Sequence, residues 1–190
     1  MEKLSDDIVI YQGDCIEIMR RMPDKSIDLL LTDPPYNFGE KEKLAYQHEF
    51  LRLSKGAIIV FCPPENQWGL DCDQYLFWVK PISTKNTSKS YSRFVEIIQV
   101  WNGKTWNPER HWSQYTNVFS DLVDEKLHPY AKPISMITRL IKNHSNEGDL
   151  VLDPFAGSFT TGVVCQETKR KFIGIEIMPE RFSLGEQRLL

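Results

Sequence analysis

Apolar and polar positions alternate in two rhythms along the chain. Ile8 to Tyr11 is a short apolar stretch ending at Gly13-Asp14, after which Ile16, Ile18, Met19 and Met22 recur at helical spacing until Pro23 stops them. That pattern predicts strand, turn and helix. Ile27 to Leu31 reads as a buried strand, and Pro34 and Pro35 must end it at Thr32 or Asp33, because neither ring nitrogen can donate to a sheet ladder. Leu44, Phe50, Leu51 and Leu53 in a charged background predict a second helix, and Gly56 leads into the wholly apolar strand Ala57 to Cys62. Tyr75 to Val79 and Phe94 to Trp101 predict two aromatic and β-branched strands, expected to pair antiparallel around the polar stretch Ser83 to Ser92. The last third predicts a helix from Ile134 to about His144, a strand Leu150 to Leu152, a helix Thr160 to Thr168, a strand Phe172 to Ile175 and a helix after Pro179. The predicted fold class is α/β, with a mostly parallel sheet, helices on both faces and one antiparallel strand pair.

Composition narrows the picture. The 190 residues fit one domain, and a net charge of −3 means that any nucleic-acid binding has to come from a local patch. The longest apolar run, Ala57 to Cys62, is far short of the roughly 20 residues a membrane helix needs. The opening MEKLSDD is no signal peptide, so a soluble, cytoplasmic protein is expected. Cys15, Cys62, Cys72 and Cys165 form no CxxC pair and the four histidines form no cluster, so neither a metal site nor a disulfide framework is indicated.

Ligands of such sheets sit at the carboxyl ends of strands, where the unusual residues of this chain fall. Asp33-Pro34-Pro35-Tyr36-Asn37 follows a buried strand directly, and its two prolines fix two φ angles. A stiff backbone thus presents the Asp33 carboxylate, the Pro34 carbonyl and the Tyr36 ring at the mouth of the sheet. The plainer alternative is a turn whose Asp caps a helix and whose Tyr packs on the core. Asp153-Pro154-Phe155-Ala156-Gly157-Ser158 also leaves a strand and enters a helix, a small-residue turn of the kind that lets a ligand approach backbone. Twenty-three residues after Asp153, Glu176 ends a strand where an acid can accept from both hydroxyls of a ribose. Turn plus acid points to a nucleoside cofactor, and the absence of GxGxxG makes a dinucleotide the weaker choice. The structural alternative is that Gly157 only packs strand against helix.

Taken together, GDCIEIMRRMPDKSIDLLLTDPPYN, HPYAKPISMITRLIKNHSNEGDLVLDPFAGSFTTG and RKFIGIEIMPERF resemble the permuted beta group of DNA amino-methyltransferases, which methylate adenine N6 or cytosine N4 with S-adenosylmethionine. The resemblance covers almost the whole chain, and the catalytic element preceding the cofactor element marks the permuted order. It implies a Rossmann-like class I methyltransferase fold. It also implies that Phe155 and Gly157 lie beside the methionine portion of the cofactor, with Asp153 in the same turn, Glu176 at the ribose and Asp14 accepting from the adenine amino group. Cys15, Thr160 and Thr161 join that cofactor-binding set. Lys132-Pro133 matches the short motif before the helix that closes the methionine end, although a lone lysine there reads equally well as a solvated helix start.

The catalytic logic follows from chemistry. The lone pair of an exocyclic amine is delocalised into its ring, so a site must draw the nitrogen toward sp³ geometry with acceptors for its N–H groups. Asp33 and Pro34 supply two, Pro35 stiffens the turn, and Tyr36 offers a face for a base extruded from the duplex. Asn37 and Phe38 are expected to line that pocket. Double-stranded DNA is the expected partner, and Lys80, Lys85, Lys89 and Arg93 lie in a stretch from 74 to 95 without one acidic residue. A solvated loop is the alternative for that stretch.

Two departures stand out. The family usually reads FxGSG in the cofactor turn, whereas Phe159 follows Ser158 here, so either cofactor affinity suffers or the ring turns away. Target-recognition insertions are confined to about 80–93 and 102–127, the latter with Trp106, His111, Trp112, Asn117 and Asp121. That is little surface for reading bases, which suggests a homodimer or a partner subunit in DNA recognition. The expected activity is methylation of adenine N6 in DNA by a bacterial or phage-encoded enzyme. Cytosine N4 methylation and a non-catalytic DNA-binding subunit are the alternatives.

Overall fold

The computed structural model describes residues 2–69, 71–80, 94–103, 116–122 and 132–190. Its amino-terminal part contains β1 (Glu2–Lys3), β2 (Ile8–Gln12), α1 (Cys15–Met19), β3 (Ile27–Thr32), α2 (Glu40–Leu53) and β4 (Ser54–Cys62). The middle adds β5 (Gln74–Val79), β6 (Val95–Trp101) and β7 (Val118–Phe119). The remainder is α3 (Ile134–His144), β8 (Leu150–Asp153), α4 (Thr160–Glu167), β9 (Lys171–Glu176) and α5 (Pro179–Leu189). The strands form one sheet in the order β1-β2-β9-β8-β3-β4-β6-β5-β7. Strands β2, β9, β8, β3 and β4 run parallel, and β6 pairs antiparallel with both β4 and β5.

β4 shows why the sheet is covered on both sides. Its Ala57, Ile59 and Phe61 point into one apolar layer with Met136, Leu140, Val164 and Phe182 from α3, α4 and α5. The alternate residues Ile58, Val60 and Cys62 point into the other, with Met19 of α1 and Phe50 and Leu53 of α2. A strand buried on both faces reads as an unbroken apolar run, which is the pattern of residues 57–62.

β4 begins at Ser54, three residues before the apolar run, and two helix ends also differ from the sequence reading. α1 stops at Met19 because the next amides close tighter turns, Arg21 to Ile18 and Met22 to Met19, before Pro23. α2 starts at Glu40, four residues earlier than its apolar spacing shows, because the Glu42 carboxylate accepts from the Gly39 amide at 2.8 Å and caps the first turn. The short edge strands β1 and β7 carry no pattern long enough to read.

The pairing of β3 with β4 is not regular. Ile27 pairs with Ser54 but Leu29 pairs with Ala57, so β4 carries an extra residue against β3. Gly56 sits in that bulge, where a Cβ would lie 2.0 Å from the Asp28 carbonyl oxygen. Beyond the bulge, Leu29 and Leu31 face the α3 side and Leu30 the α2 side.

The late strands β8 and β9 insert between β2 and β3, so the carboxyl ends of β2, β9, β8 and β3 stand side by side. They carry Gly13-Asp14, Glu176, Asp153 and Asp33, which gathers chemistry from both ends of the sequence at one rim. Among the described residues, no helix is long and apolar enough to cross a membrane.

Replacing Gly56 by Ala forces the β3–β4 bulge apart and is expected to cost about 1–3 kcal/mol of stability. A lowered urea midpoint with an unchanged slope is the expected observation.

Candidate active site

The Asp33 turn is held from three directions. Thr32 Oγ1 donates to Asp153 Oδ1 at 2.9 Å and ties the end of β3 to the end of β8. The Tyr36 hydroxyl donates to Asp33 Oδ1 at 3.0 Å, and the Lys132 ammonium donates to Asp33 Oδ2. Asn66, in the loop after β4, donates its side-chain amide to the carbonyls of Tyr36 at 2.7 Å and Phe38 at 3.2 Å. Burial raises the Asp33 pKa, and the nearby Lys132 charge works against that rise. Burial likewise keeps the Tyr36 hydroxyl protonated, with Asp33 next in effect. Tyr36 is therefore a fixed donor to Asp33.

The neighbouring turn is built around Glu176. Its Oε2 accepts from the Gly157 amide at 3.0 Å and its Oε1 from the Met178 amide at 2.8 Å. Each carboxylate oxygen retains a further lone pair for hydroxyl donors. Gly157 adopts a left-handed φ of +53°, and a Cβ there would touch nothing closer than 4.0 Å, so the turn presents bare backbone to open space. Asp14 caps α1 by accepting from the Glu17 amide at 3.1 Å. Asp153 is buried and accepts from Thr32, from Thr161 Oγ1 at 2.7 Å and from the Phe155 amide at 3.2 Å. Burial nonetheless pushes its carboxyl up to about 6, the three donors offsetting only part of the effect.

Phe159 turns its side chain away from the cofactor turn. It takes a left-handed φ of +57° as the residue before α4, and its ring is fully buried in the apolar core with Phe172 and Phe182. The ring lies edge-on to Phe172 and Phe182, with centroids 6.3 and 6.0 Å away. Room for it comes from glycines, since a Cβ at Gly185 would lie 1.9 Å from the ring and one at Gly174 2.7 Å. Arg188 of α5 also donates to the Ser158 carbonyl, so the carboxyl-terminal helix grips the turn twice.

Both turns open on one cavity of about 700 Å³. It is lined by Asp33, Pro34, Pro35 and Tyr36 and by Asp14, Cys15, Lys132, Asp153, Phe155, Gly157, Thr160, Thr161 and Glu176, every residue marked from sequence as catalytic or cofactor-binding. Phe38 also lines it, with its ring stacked on Tyr46 at 5.0 Å and 5.7 Å from Phe155, whereas Asn37 is exposed and outside the lining. Lys132 stands at the Asp33 end of the cavity rather than on a solvated helix start, because its charge is drawn to Asp33 and Glu96. Lys80 is ion-paired to the buried Glu96, so its ammonium is already engaged by a carboxylate. Lys85, Lys89 and Arg93, with Trp106, His111 and Trp112, lie outside the described residues.

Sequence reasoning missed Tyr46, Asn66, Glu96 and Arg188. Only Glu96 left a signal, as the one acid in β6.

A cavity of this size, with carboxylates placed for hydroxyl and amino donors at one end and a glycine turn beside them, fits a nucleoside cofactor. Its other end offers amine acceptors beside an aromatic ring. The family model described as DNA methylase, covering N6 and N4 enzymes, matches residues 57–187. The chain belongs to this family. DNA adenine methyltransferase YhdJ of Escherichia coli (strain K12) is 29% identical over 95% of this chain and 82% of its own length. That matched stretch, 241 residues, exceeds the length of this chain, so the relative carries insertions that this chain lacks. Type II methyltransferase M.HpaI of Haemophilus parainfluenzae is 28% identical over 93% of this chain and 72% of its own. Among solved structures, the M1.HpyAVI–SAM complex superposes with a TM-score of 0.74 at 29% identity, covering 96% of this chain and 100% of the other. The cytosine-N4-specific PvuII DNA methyltransferase superposes at 0.77 with 20% identity, over 98% and 87% of the two chains, a likeness of fold.

Replacing Phe159 by Ala removes a fully buried ring while keeping the Cβ that makes the left-handed backbone costly, and is expected to cost about 3–5 kcal/mol in urea unfolding. Phe159→Gly is expected not to tighten binding of S-adenosylmethionine in calorimetry, because the ring does not face the cavity.

The raised Asp153 carboxyl sets a pH dependence. Its stabilising contribution is complete below the unfolded pKa near 4 and is lost as pH rises through about 6. Between pH 4 and 7 the wild-type chain should therefore lose stability relative to Asp153→Asn by a few kcal/mol, read from urea midpoints across the range.

Proposed function

We propose that the chain transfers a methyl group from S-adenosylmethionine to the exocyclic N6 amine of adenine in double-stranded DNA, acting on a base drawn out of the helix. The observation that carries this reading is that the Asp33–Tyr36 turn and the Gly157–Glu176 turn face one cavity from adjacent strands. Bound there, the cofactor supplies an electrophilic methyl group on a positively charged sulfur.

The chain's own residues do the rest. Glu176 accepts from ribose hydroxyls, Asp14 from the adenine amino group, and the Gly157 backbone admits the methionine portion. The Asp33 carboxylate and the Pro34 carbonyl accept the two N–H groups of the target amine and direct its lone pair toward the methyl. Tyr36, anchored through its hydroxyl to Asp33 and through its carbonyl to Asn66, offers its ring to the base. The surplus proton of the methylated amine passes to Asp33 and on to solvent.

Adenine is favoured by the DPPY form of the motif and by a 29% identical relative named as an adenine methyltransferase. The nearest alternative is cytosine N4 by the same chemistry, the specificity of the PvuII enzyme whose fold this chain shares. A non-catalytic DNA-binding subunit is disfavoured by the intact set around Asp33 and Glu176. Lys85, Lys89 and Arg93 supply phosphate contacts in this reading, and a second copy or a partner subunit extends the short recognition region.

Incubation with methyl-tritiated S-adenosylmethionine and unmethylated genomic DNA, followed by nucleoside analysis, should place label in N6-methyladenine. Label in N4-methylcytosine would move the reading to the other base. Asp33→Ala should lower the single-turnover rate by about 100-fold or more while cofactor affinity changes only a few-fold. An unchanged rate would remove Asp33 from the mechanism.

A further inference from the structure

The site contains more charge than methyl transfer to an acceptor-bound amine requires. Lys132, 11% exposed, contacts Asp33 and lies 3.2 Å from Oε2 of Glu96, itself 8% exposed. Among the described residues that Glu96 oxygen has no hydrogen-bond partner, so the ammonium attracts it by charge without being aligned to it. Glu96 Oε1 holds Lys80. The result is a row of alternating charge, Asp33, Lys132, Glu96 and Lys80, running from the catalytic turn to β6 and the end of β5. The Lys132 ammonium also lies 5.1 to 5.8 Å from the ring centroids of Phe61, Tyr36 and Trp78, which fix its position among apolar faces.

We propose that Lys132 and Glu96 form a positioning couple for Asp33: Lys132 keeps that carboxylate ionised and aimed, and Glu96 takes a share of the lysine's charge so that Asp33 remains a strong acceptor for the target amine. The basis is electrostatic. A carboxylate in this pocket without a cation would be driven toward protonation and could then accept poorly from an N–H group. A carboxylate facing an undivided cation would be ionised but its acceptor strength would be spent on the ammonium. Glu96, placed on the far side of Lys132, divides the cation between two anions. The directions of proton affinity agree: Glu96 is lowered, Lys132 and then Lys80 outweighing burial, whereas Asp33 stays raised by burial. The charged or titratable groups facing Asp33 are Tyr36 of its own loop, Lys132, Glu96 of β6 and Asp153 of β8.

This inference rests on the methyl-transfer reading for its kinetic consequence but not for its electrostatic one, and the experiment separates the two. In the cofactor-free protein, the Asp33 carboxyl carbon is followed by ¹³C NMR against pH, with its signal assigned by Asp33→Asn. Lys132→Met should move the midpoint up and Glu96→Gln should move it down, since the first removes a cation and the second removes an anion. Lys132→Arg should restore most of the wild-type midpoint. In single turnover with saturating cofactor, Glu96→Gln should lower the rate about 10- to 100-fold while cofactor affinity is unchanged. The acid limb of its pH–rate profile should shift to lower pH.

Midpoints that move in the same direction, or that do not move, would overturn the couple, because a purely structural role gives no opposed shifts. If Lys132→Met does not fold, the downward shift in Glu96→Gln is still required, and its absence overturns the proposal. If the wild-type protein methylates no DNA, the reaction has been misread, and the carboxyl titration alone decides the couple.

Discussion

The hydrogen bond from Thr32 to Asp153 is the hinge of the molecule. It joins the ends of β3 and β8, strands that lie 121 residues apart in sequence. The Asp33–Tyr36 turn and the Asp153–Ser158 turn leave those two ends. Because β8 and β9 enter the sheet between β2 and β3, the bond sits where the chain's early and late halves meet. Burying the Asp153 carboxyl raises its proton affinity, and its three donors hold the geometry. The two turns are therefore tied to each other by a buried polar network.

Much of this was legible in the sequence because the relevant signals are local. Prolines after a strand, a glycine turn before a helix and an acid at a strand end each announce a strand terminus, and the parallel order follows from alternation. The antiparallel β5–β6 pair was legible for the same reason. What was not legible depends on pairing at long range. The β3–β4 bulge requires the partner's carbonyl, the inward turn of Phe159 requires glycines 15 and 26 residues later, and the role of Asn66 requires a loop brought back over the Asp33 turn. Lys132 was marked, but its approach to Asp33 and Glu96 was not legible, since only the fold brings β6 behind it.

The two ends of the site are tuned in opposite senses. At the cofactor end the carboxylates of Glu176 and Asp153 are satisfied mainly by neutral donors, amides and hydroxyls, which orient them without adding charge. At the other end the Asp33 carboxylate is met by a full positive charge and a fixed phenol. In the proposed reaction, neutral donors suit a ligand that brings its own cation, and an internal cation suits a target that brings none.

The seating of Phe159 against Gly185 has an evolutionary consequence. The ring fills the space that a side chain at 185 would occupy, and the two positions lie on the turn before α4 and on the buried face of α5. Neither can change first without cost: a larger residue at 185 collides with the ring, and a glycine at 159 empties the core beneath the turn. The pair is a ratchet. Once a lineage has exchanged the small residue of the turn for an aromatic one, its terminal helix must keep a glycine, and the sequence can return to the family's ordinary pattern only by changing both sites together.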